Sequence, residues 1–159
     1  MSKKLDGEKL VVSKATSKET EWLRENRGLF AVAYSIPTRL RKEWPCFVLK
    51  KGKEIIGYRS FQFHESGGKN NAWVGSTSLR KGFEGKGLGP FLVGRANSML
   101  HSMGFDVVRT WAHEPKAKKF WAKQGFQRVG GDPMEARGNT QLSLNLKNQR
   151  ETKRRKRIV

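Results

Sequence analysis

The residues best suited to chemistry lie in one stretch, 79–92, which reads L-R-K-G-F-E-G-K-G-L-G-P-F-L. Within it Gly82, Gly85, Gly87 and Gly89 separate a strand-like apolar run at 72–79 from an amphipathic helical run at 88–103. Glycine turns through positive φ without a Cβ penalty and lets backbone come close to a ligand. A strand, a glycine turn and a helix start converge several N–H groups on one point, where the helix dipole favours negative charge. Lys81 and Lys86 add full positive charge. The chemistry this suits is the binding of a pyrophosphate. A glycine-rich surface turn is the other reading of the same residues.

The elements that must hold such a loop come next. At 159 residues the chain fits one domain with a real core. Residues 1–8 read as a flexible N-terminus. Residues 9–15 (K-L-V-V-S-K-A) suit a first strand, and Thr16 or Ser17 can cap a helix with Glu19 and Glu21 in its first turn. That helix carries Trp22 and Leu23 on one face and ends near Gly28. Residues 29–36 are ambiguous between helix and strand, and 38–43 read as a short basic helix. Strands are expected at 46–51 and 54–64 around the Lys51-Gly52-Lys53 turn, and a third member of the meander at 72–79. In 54–64 alternation sets Tyr58, Ser60, Gln62 and His64 on one face and Arg59, Phe61 and Phe63 on the other. After the loop, Phe91, Leu92, Ala96, Met99, Leu100 and Met103 recur at helical spacing, and Gly104 ends the helix.

A strand at 106–112 then completes a βαβ unit, which implies a parallel pair. Pro115 opens another helix that stops at Gly125; 126–130 begins a strand, 132–139 is a loop, and Leu142, Leu144 and Leu146 point inward from the last strand. The expected fold is α/β, a mixed sheet with flanking helices in the order β-α-α-β-β-β-α-β-α-β-β, filling 9–146 and followed by a basic disordered tail at 147–159.

Two of these segments, in this order, resemble the motifs of the GNAT superfamily of acyl-coenzyme A-dependent N-acetyltransferases. The family's cofactor loop reads roughly V-x-P-x-x-(R/Q)-G-x-G-(I/L)-G, and 79–89 aligns with it without a gap. Its second motif, roughly N-x-x-A-x-x-(L/F)-Y-x-x-x-G-F, aligns without a gap with 114–126, E-P-K-A-K-K-F-W-A-K-Q-G-F. The resemblance implies acetyl-CoA as cofactor, held by Leu79, Glu84, Gly85, Lys86, Gly87, Leu88 and Gly89 and by Ala117, Phe120 and Trp121. Three positions depart from the family pattern. Glu84 stands where Arg or Gln is usual, and a carboxylate there repels a pyrophosphate. Trp121 stands where a Tyr often protonates the leaving thiolate, which an indole N–H cannot do. Glu114 replaces an Asn that often bonds cofactor or substrate.

Transfer to an amine needs a base for the amine, a donor for the developing oxyanion and a place for the departing thiolate. Strand 72–79 carries no carboxylate. The candidates for catalytic work are His113 first, then Glu114, with Ser78 as a hydrogen-bond donor near the thioester. His64, Glu65 and Glu84 are further carboxylates or imidazoles within reach of such a cleft. Each has a plain structural reading as well, as a strand end or a solvated turn. Cys46 reads as buried core, and Trp73, Trp111 and Trp121 as core or cleft wall, with base stacking as the alternative reading.

Formal charge is +19, from 33 Lys and Arg against 14 Asp and Glu. That exceeds what solubility asks for and points to a polyanionic partner, nucleic acid or an acidic protein. The cations cluster at Arg39, Arg41 and Lys42, at 116–119, and in the tail, where Lys153, Arg154, Arg155, Lys156 and Arg157 follow Thr152. The tail holds seven Lys and Arg and one Glu, so the body without it keeps +13. These residues are the candidate nucleic-acid contacts, through phosphates rather than bases; a solubilising or targeting tail is the alternative. One cysteine rules out an intrachain disulfide and suits a reducing compartment, cytoplasmic or nucleoid-associated. No apolar run approaches a membrane span, and no metal site is assigned. Two functions follow: an active acetyltransferase acting on an acidic or nucleic-acid-associated partner, or a protein of the same fold that binds nucleic acid without transfer.

Overall fold

The computed structural model describes residues 3–30, 36, 45–62, 70–112, 114–129 and 140–147. The expected basic helix at 38–43, residues 63–64 at the end of the expected 54–64 strand, the 132–139 loop and the tail beyond Lys147 lie outside them. The chain divides into two compact units, one of residues 1–63 and 74–96 and one of residues 64–73 and 97–159.

In the first unit the strand order is β1 (Lys4–Leu5), β2 (Glu8–Lys14), β3 (Cys46–Lys51), β4 (Glu54–Gln62) and the carboxyl half of β5 (Asn71–Leu79). The β1–β2 and β2–β3–β4 pairings are antiparallel. The hairpin at Lys4–Glu8 replaces the flexible segment expected at 1–8. Its cause is the Asp6-Gly7 dipeptide: φ is +52° and +79°, the two successive left-handed residues that a tight two-residue hairpin turn requires.

Helix α1 (Ser17–Glu25) begins as expected at Thr16. The Thr16 hydroxyl accepts from the Glu19 N–H at 3.1 Å, and the Glu19 carboxylate accepts from the Thr16 N–H at 3.0 Å. This capping box satisfies two orphan donors. Leu23 from α1 is fully buried among Ala15, Phe30, Cys46, Val48 and Tyr58. Burial, with Glu19 nearby, pushes the Cys46 thiol up to about 12, so it is inert core.

Strand β4 keeps the alternation read in the sequence, Tyr58 and Ser60 meeting at Ser76 on one face and Arg59 lying over Phe61 on the other, but buries both faces. From Ile55 to Phe61 every residue is buried, Tyr58 and Arg59 completely. A strand covered on both faces cannot sort its side chains into wet and dry sets. Burial lowers the Arg59 guanidinium to about 9, while the Thr77 hydroxyl accepts a hydrogen bond from it and the Phe61 ring lies 5.0 Å from it. Gly57 keeps β4 close to its neighbour: a Cβ there would stand 3.0 Å from the Leu79 side chain and 3.3 Å from the Ser78 carbonyl.

The second unit contains the amino end of β5, the carboxyl end of α2 (Leu88–Ser102), then β6 (Val107–Ala112), α3 (Pro115–Lys123), β7 (Gln127–Arg128) and β8 (Thr140–Asn145). Its strand order is β5-β6-β8-β7. The expected parallel pair is present: Asn71, Ala72 and Trp73 register with Val107, Val108 and Arg109. β8 runs antiparallel to β6 and to β7. Leu142, Leu144 and Leu146 are buried as expected, with Val108, Ala112, Trp121 and Phe126. The buried stripe of α2 runs through Leu88, Leu92, Val93, Ala96, Asn97 and Leu100; Phe91, Met99 and Met103 are only half-buried.

Candidate functional site

The glycine loop joins β5 to α2 in the first unit. Gly82, Gly85 and Gly87 adopt φ of +95°, +75° and +75°. Open space surrounds the Cβ positions of Gly82 and Gly85, so backbone direction and not crowding requires glycine there. The loop is anchored at its start, where the Arg80 N–H donates to the Ile56 carbonyl at 2.7 Å and the Lys81 N–H to the Leu29 carbonyl at 2.8 Å. Helix α2 starts at Leu88, and the first four N–H positions of a helix have no acceptor within it. Pro90 in the first turn carries no N–H, so Gly87, Leu88 and Gly89 supply the donors.

Four cations surround this turn, and the sequence reading found one of them. Lys51 and Lys86 lie 5.8 Å and 5.7 Å from the Phe83 ring centre. Lys3 and Arg95 lie 5.2 Å and 5.5 Å from the Phe91 ring centre. Lys3 also donates to the Gly87 carbonyl at 3.3 Å. Lys51 meets Asp6 at 3.1 Å, and the hydrogen bond and charge of Lys51, with Lys86 adding, hold the Asp6 carboxyl below its ordinary range against a small opposing effect of burial. Lys3 reaches the loop because the β1–β2 hairpin folds back, so the Asp6-Gly7 dipeptide was the signal that could have found it. Glu84 is exposed in the middle of the loop.

Ser78 is buried on β5 in the same unit. Beside it runs a hydroxyl chain that the sequence reading missed. The Ser76 hydroxyl donates to the Tyr58 hydroxyl at 2.9 Å, and the Ser76 N–H donates to the Ser60 hydroxyl at 3.1 Å. Burial, more than the Ser76 hydrogen bond that opposes it, raises the Tyr58 phenol, so it keeps its proton at neutral pH. Only strand pairing brings these three hydroxyls together, since no spacing along the chain announces them.

The second motif is in the second unit. Glu114 is exposed and precedes α3; its carbonyl accepts from the Lys118 N–H at 3.0 Å, and its side chain makes no cap. Ala117 and Phe120 are half-buried. Trp121 is buried, with its ring centre 4.9 Å from Phe120 and 5.1 Å from Phe126. His113, His64, Glu65, Arg39, Arg41, Lys42 and the run from Thr152 to Arg157 lie outside the described residues.

The acetyltransferase (GNAT) family model matches residues 14–126. The chain belongs to the GNAT acetyltransferase family. No curated relative matches its sequence. Among solved structures, Salmonella typhimurium YncA with its cofactor acetyl-CoA is 18% identical, with a TM-score of 0.62 over 86% of this chain and 94% of that one. The ribosomal-protein-S18-alanine N-acetyltransferase of Escherichia coli is 12% identical, TM-score 0.66, over 86% and 94%. The spermidine/spermine N-acetyltransferase SpeG of Vibrio cholerae is 12% identical, TM-score 0.66, over 90% and 96%. At these identities the likeness is one of fold.

A GNAT enzyme takes acetyl-CoA as its acetyl donor, and the loop of this chain fits that group's pyrophosphate. Three backbone donors at a helix start and four surrounding cations are an anion-binding arrangement. The exposed Glu84 is the one charge in the loop that opposes it.

Proposed function

We propose that this GNAT enzyme acetylates an amine carried by an acidic or nucleic-acid-associated partner. The observation that carries this reading is the clamp of Lys3, Lys51, Lys86 and Arg95 around a turn whose glycines hold three positive-φ positions. Bound acetyl-CoA supplies an activated acetyl thioester. The chain's own residues then have three tasks. Gly87, Leu88 and Gly89 hold the diphosphate with backbone N–H groups, and the four cations balance its charge. His113, with Glu114 beside it in sequence, takes the proton that must leave the acceptor amine before it attacks. Ser78, with the Tyr58–Ser76 hydroxyls near it in the first unit, supplies protonated donors; a phenol that stays protonated suits a group that must give rather than take a proton. Trp121, buried between two aromatic rings, does no acid–base work.

The partner class follows from charge. A body of +13 before its tail repels a polycation such as a polyamine and attracts an acidic surface or a phosphate backbone. The second reading, a GNAT-fold protein that binds nucleic acid without transfer, is favoured by Glu84 in the loop and by Trp121 at the position of the family's thiolate acid.

Calorimetric titration with acetyl-CoA separates the two. Binding that disappears in Gly87→Trp, with thiol release in the presence of an acceptor, is the expected result. No heat and no thermal shift at millimolar acetyl-CoA would overturn the enzyme reading. Undiminished binding by Gly87→Trp would show that the cofactor sits elsewhere.

A further inference from the structure

One face of the second unit's sheet has no part in the acetyl-transfer reading. Strands alternate, so Val108, Thr110 and Ala112 of β6 and Leu142 and Leu144 of β8 bury one side as core. The other side presents a different set. Trp111 keeps 38% of its surface exposed although it is a tryptophan in mid-sheet. Its ring stacks on Trp73 of β5, with centroids 5.8 Å apart and planes 23° from parallel. The Arg109 guanidinium lies 5.9 Å from the Trp73 ring centre. Register fixes what lies beside them: Ser143 is opposite Arg109, Asn145 is opposite Val107, and Gln127 is opposite Ser143. Ser143 is half-buried and Asn145 and Gln127 are exposed.

From this geometry we infer that the Trp111–Trp73–Arg109 stack is a platform for an unpaired base of single-stranded nucleic acid. The inference rests on the reading of a polyanionic partner and gives that partner a site. Every base has a π-face, so an exposed tryptophan backed by a second ring stacks bases without regard to sequence. Arginine extends the stack as a planar cation. The surrounding side chains are amide and hydroxyl, which suit base edges and sugar hydroxyls. The core of a subunit interface would be apolar, and two copies carrying +19 each repel. The chain leaves this face at the Asn145 end of β8: Lys147 is 67% exposed, and the six Lys and Arg of 148–159 follow it in sequence. The strand puts about 13 Å between that end and Trp111, at ~3.3 Å per residue.

The test titrates the full-length protein with a deoxythymidine 12-mer and with an abasic phosphodiester 12-mer, following tryptophan fluorescence and anisotropy. The platform predicts tighter binding of the thymidine strand, quenching on binding, and a loss of about tenfold in Trp111→Ala. Trp111→Phe restores most of that loss, and the abasic strand binds both variants as it binds the parent. Trp111 is exposed, and a far-UV spectrum verifies that Trp111→Ala stays folded. Equal affinity for both strands, unchanged by Trp111→Ala, overturns the platform and leaves the polyanionic partner standing on phosphate contacts alone. Binding of neither strand overturns both. A self-associated parent that becomes monomeric in Trp111→Ala, with strand binding intact, assigns the face to a second copy of the chain and overturns the platform.

Discussion

Single residues decide how well the loop does its work. Glu84 projects a negative charge from a turn otherwise built for anions. Because it is exposed, solvent screens it, so its effect on a pyrophosphate is modest. Replacing it with Gln should tighten coenzyme A about two- to fivefold by calorimetry, a change of roughly 0.5–1 kcal/mol in line with exposed charge pairs. An unchanged or weaker affinity means that Glu84 points away from the diphosphate or holds a useful contact. Gly85 and Gly87 were legible as special residues because glycine at that spacing has few other uses. Lys3, 84 residues before the carbonyl it bonds, was not legible, since no local pattern relates the two.

At the scale of elements, the start of α1 could be read from four letters. Thr16 and Glu19 satisfy each other's backbone donors, and Lys50 of β3 pairs with the Glu19 carboxylate. Burial works to raise the Glu19 pKa, but the Lys50 hydrogen bond, the Thr16 N–H and the Lys50 charge outweigh it and lower it below 4.5. A lowered carboxylate pKa stabilises the fold above the unfolded value, and that contribution is lost as pH falls through the folded value. Thr16→Ala should therefore cost about 1 kcal/mol at pH 7 through the lost cap. Glu19→Gln keeps the cap geometry and loses the ion pair, so its cost of about 0.5–1 kcal/mol at pH 7 should be smaller at pH 3. Urea unfolding at the two pH values measures both. A Glu19→Gln penalty that persists undiminished at pH 3 would show that shape and not charge is at work there. In β4 the two alternating faces were legible, but not that both are buried, with the Thr77 hydroxyl accepting from Arg59 and the Ser60 hydroxyl accepting from the Ser76 N–H.

For the whole molecule, the proposed polyanionic partner rests on charge. The segment 148–159 carries six Lys and Arg, and each phosphate neutralised releases about 0.7 counterion from a single strand. Removing that segment should lower the slope of log affinity against log salt by up to about 4 for a single-stranded ligand. Fluorescence titrations between low and physiological salt give the slope directly. A truncated chain with the parent's slope would place the phosphate contacts on the folded body, which holds most of the remaining charge.

The sequence alone determined the parts whose physics is local. The strand–glycine–helix turn, the capped α1 and the two family motifs each need only neighbours along the chain, because backbone conformation and hydrophobic period are set within a few residues. Tertiary structure decided whatever depends on residues far apart in sequence. It brought Lys3, Lys51 and Arg95 to the glycine loop, lined up the Tyr58, Ser76 and Ser60 hydroxyls, and stacked Trp111 on Trp73. Those contacts are fixed by strand register and hairpin return, which follow from packing and not from any one segment's preference.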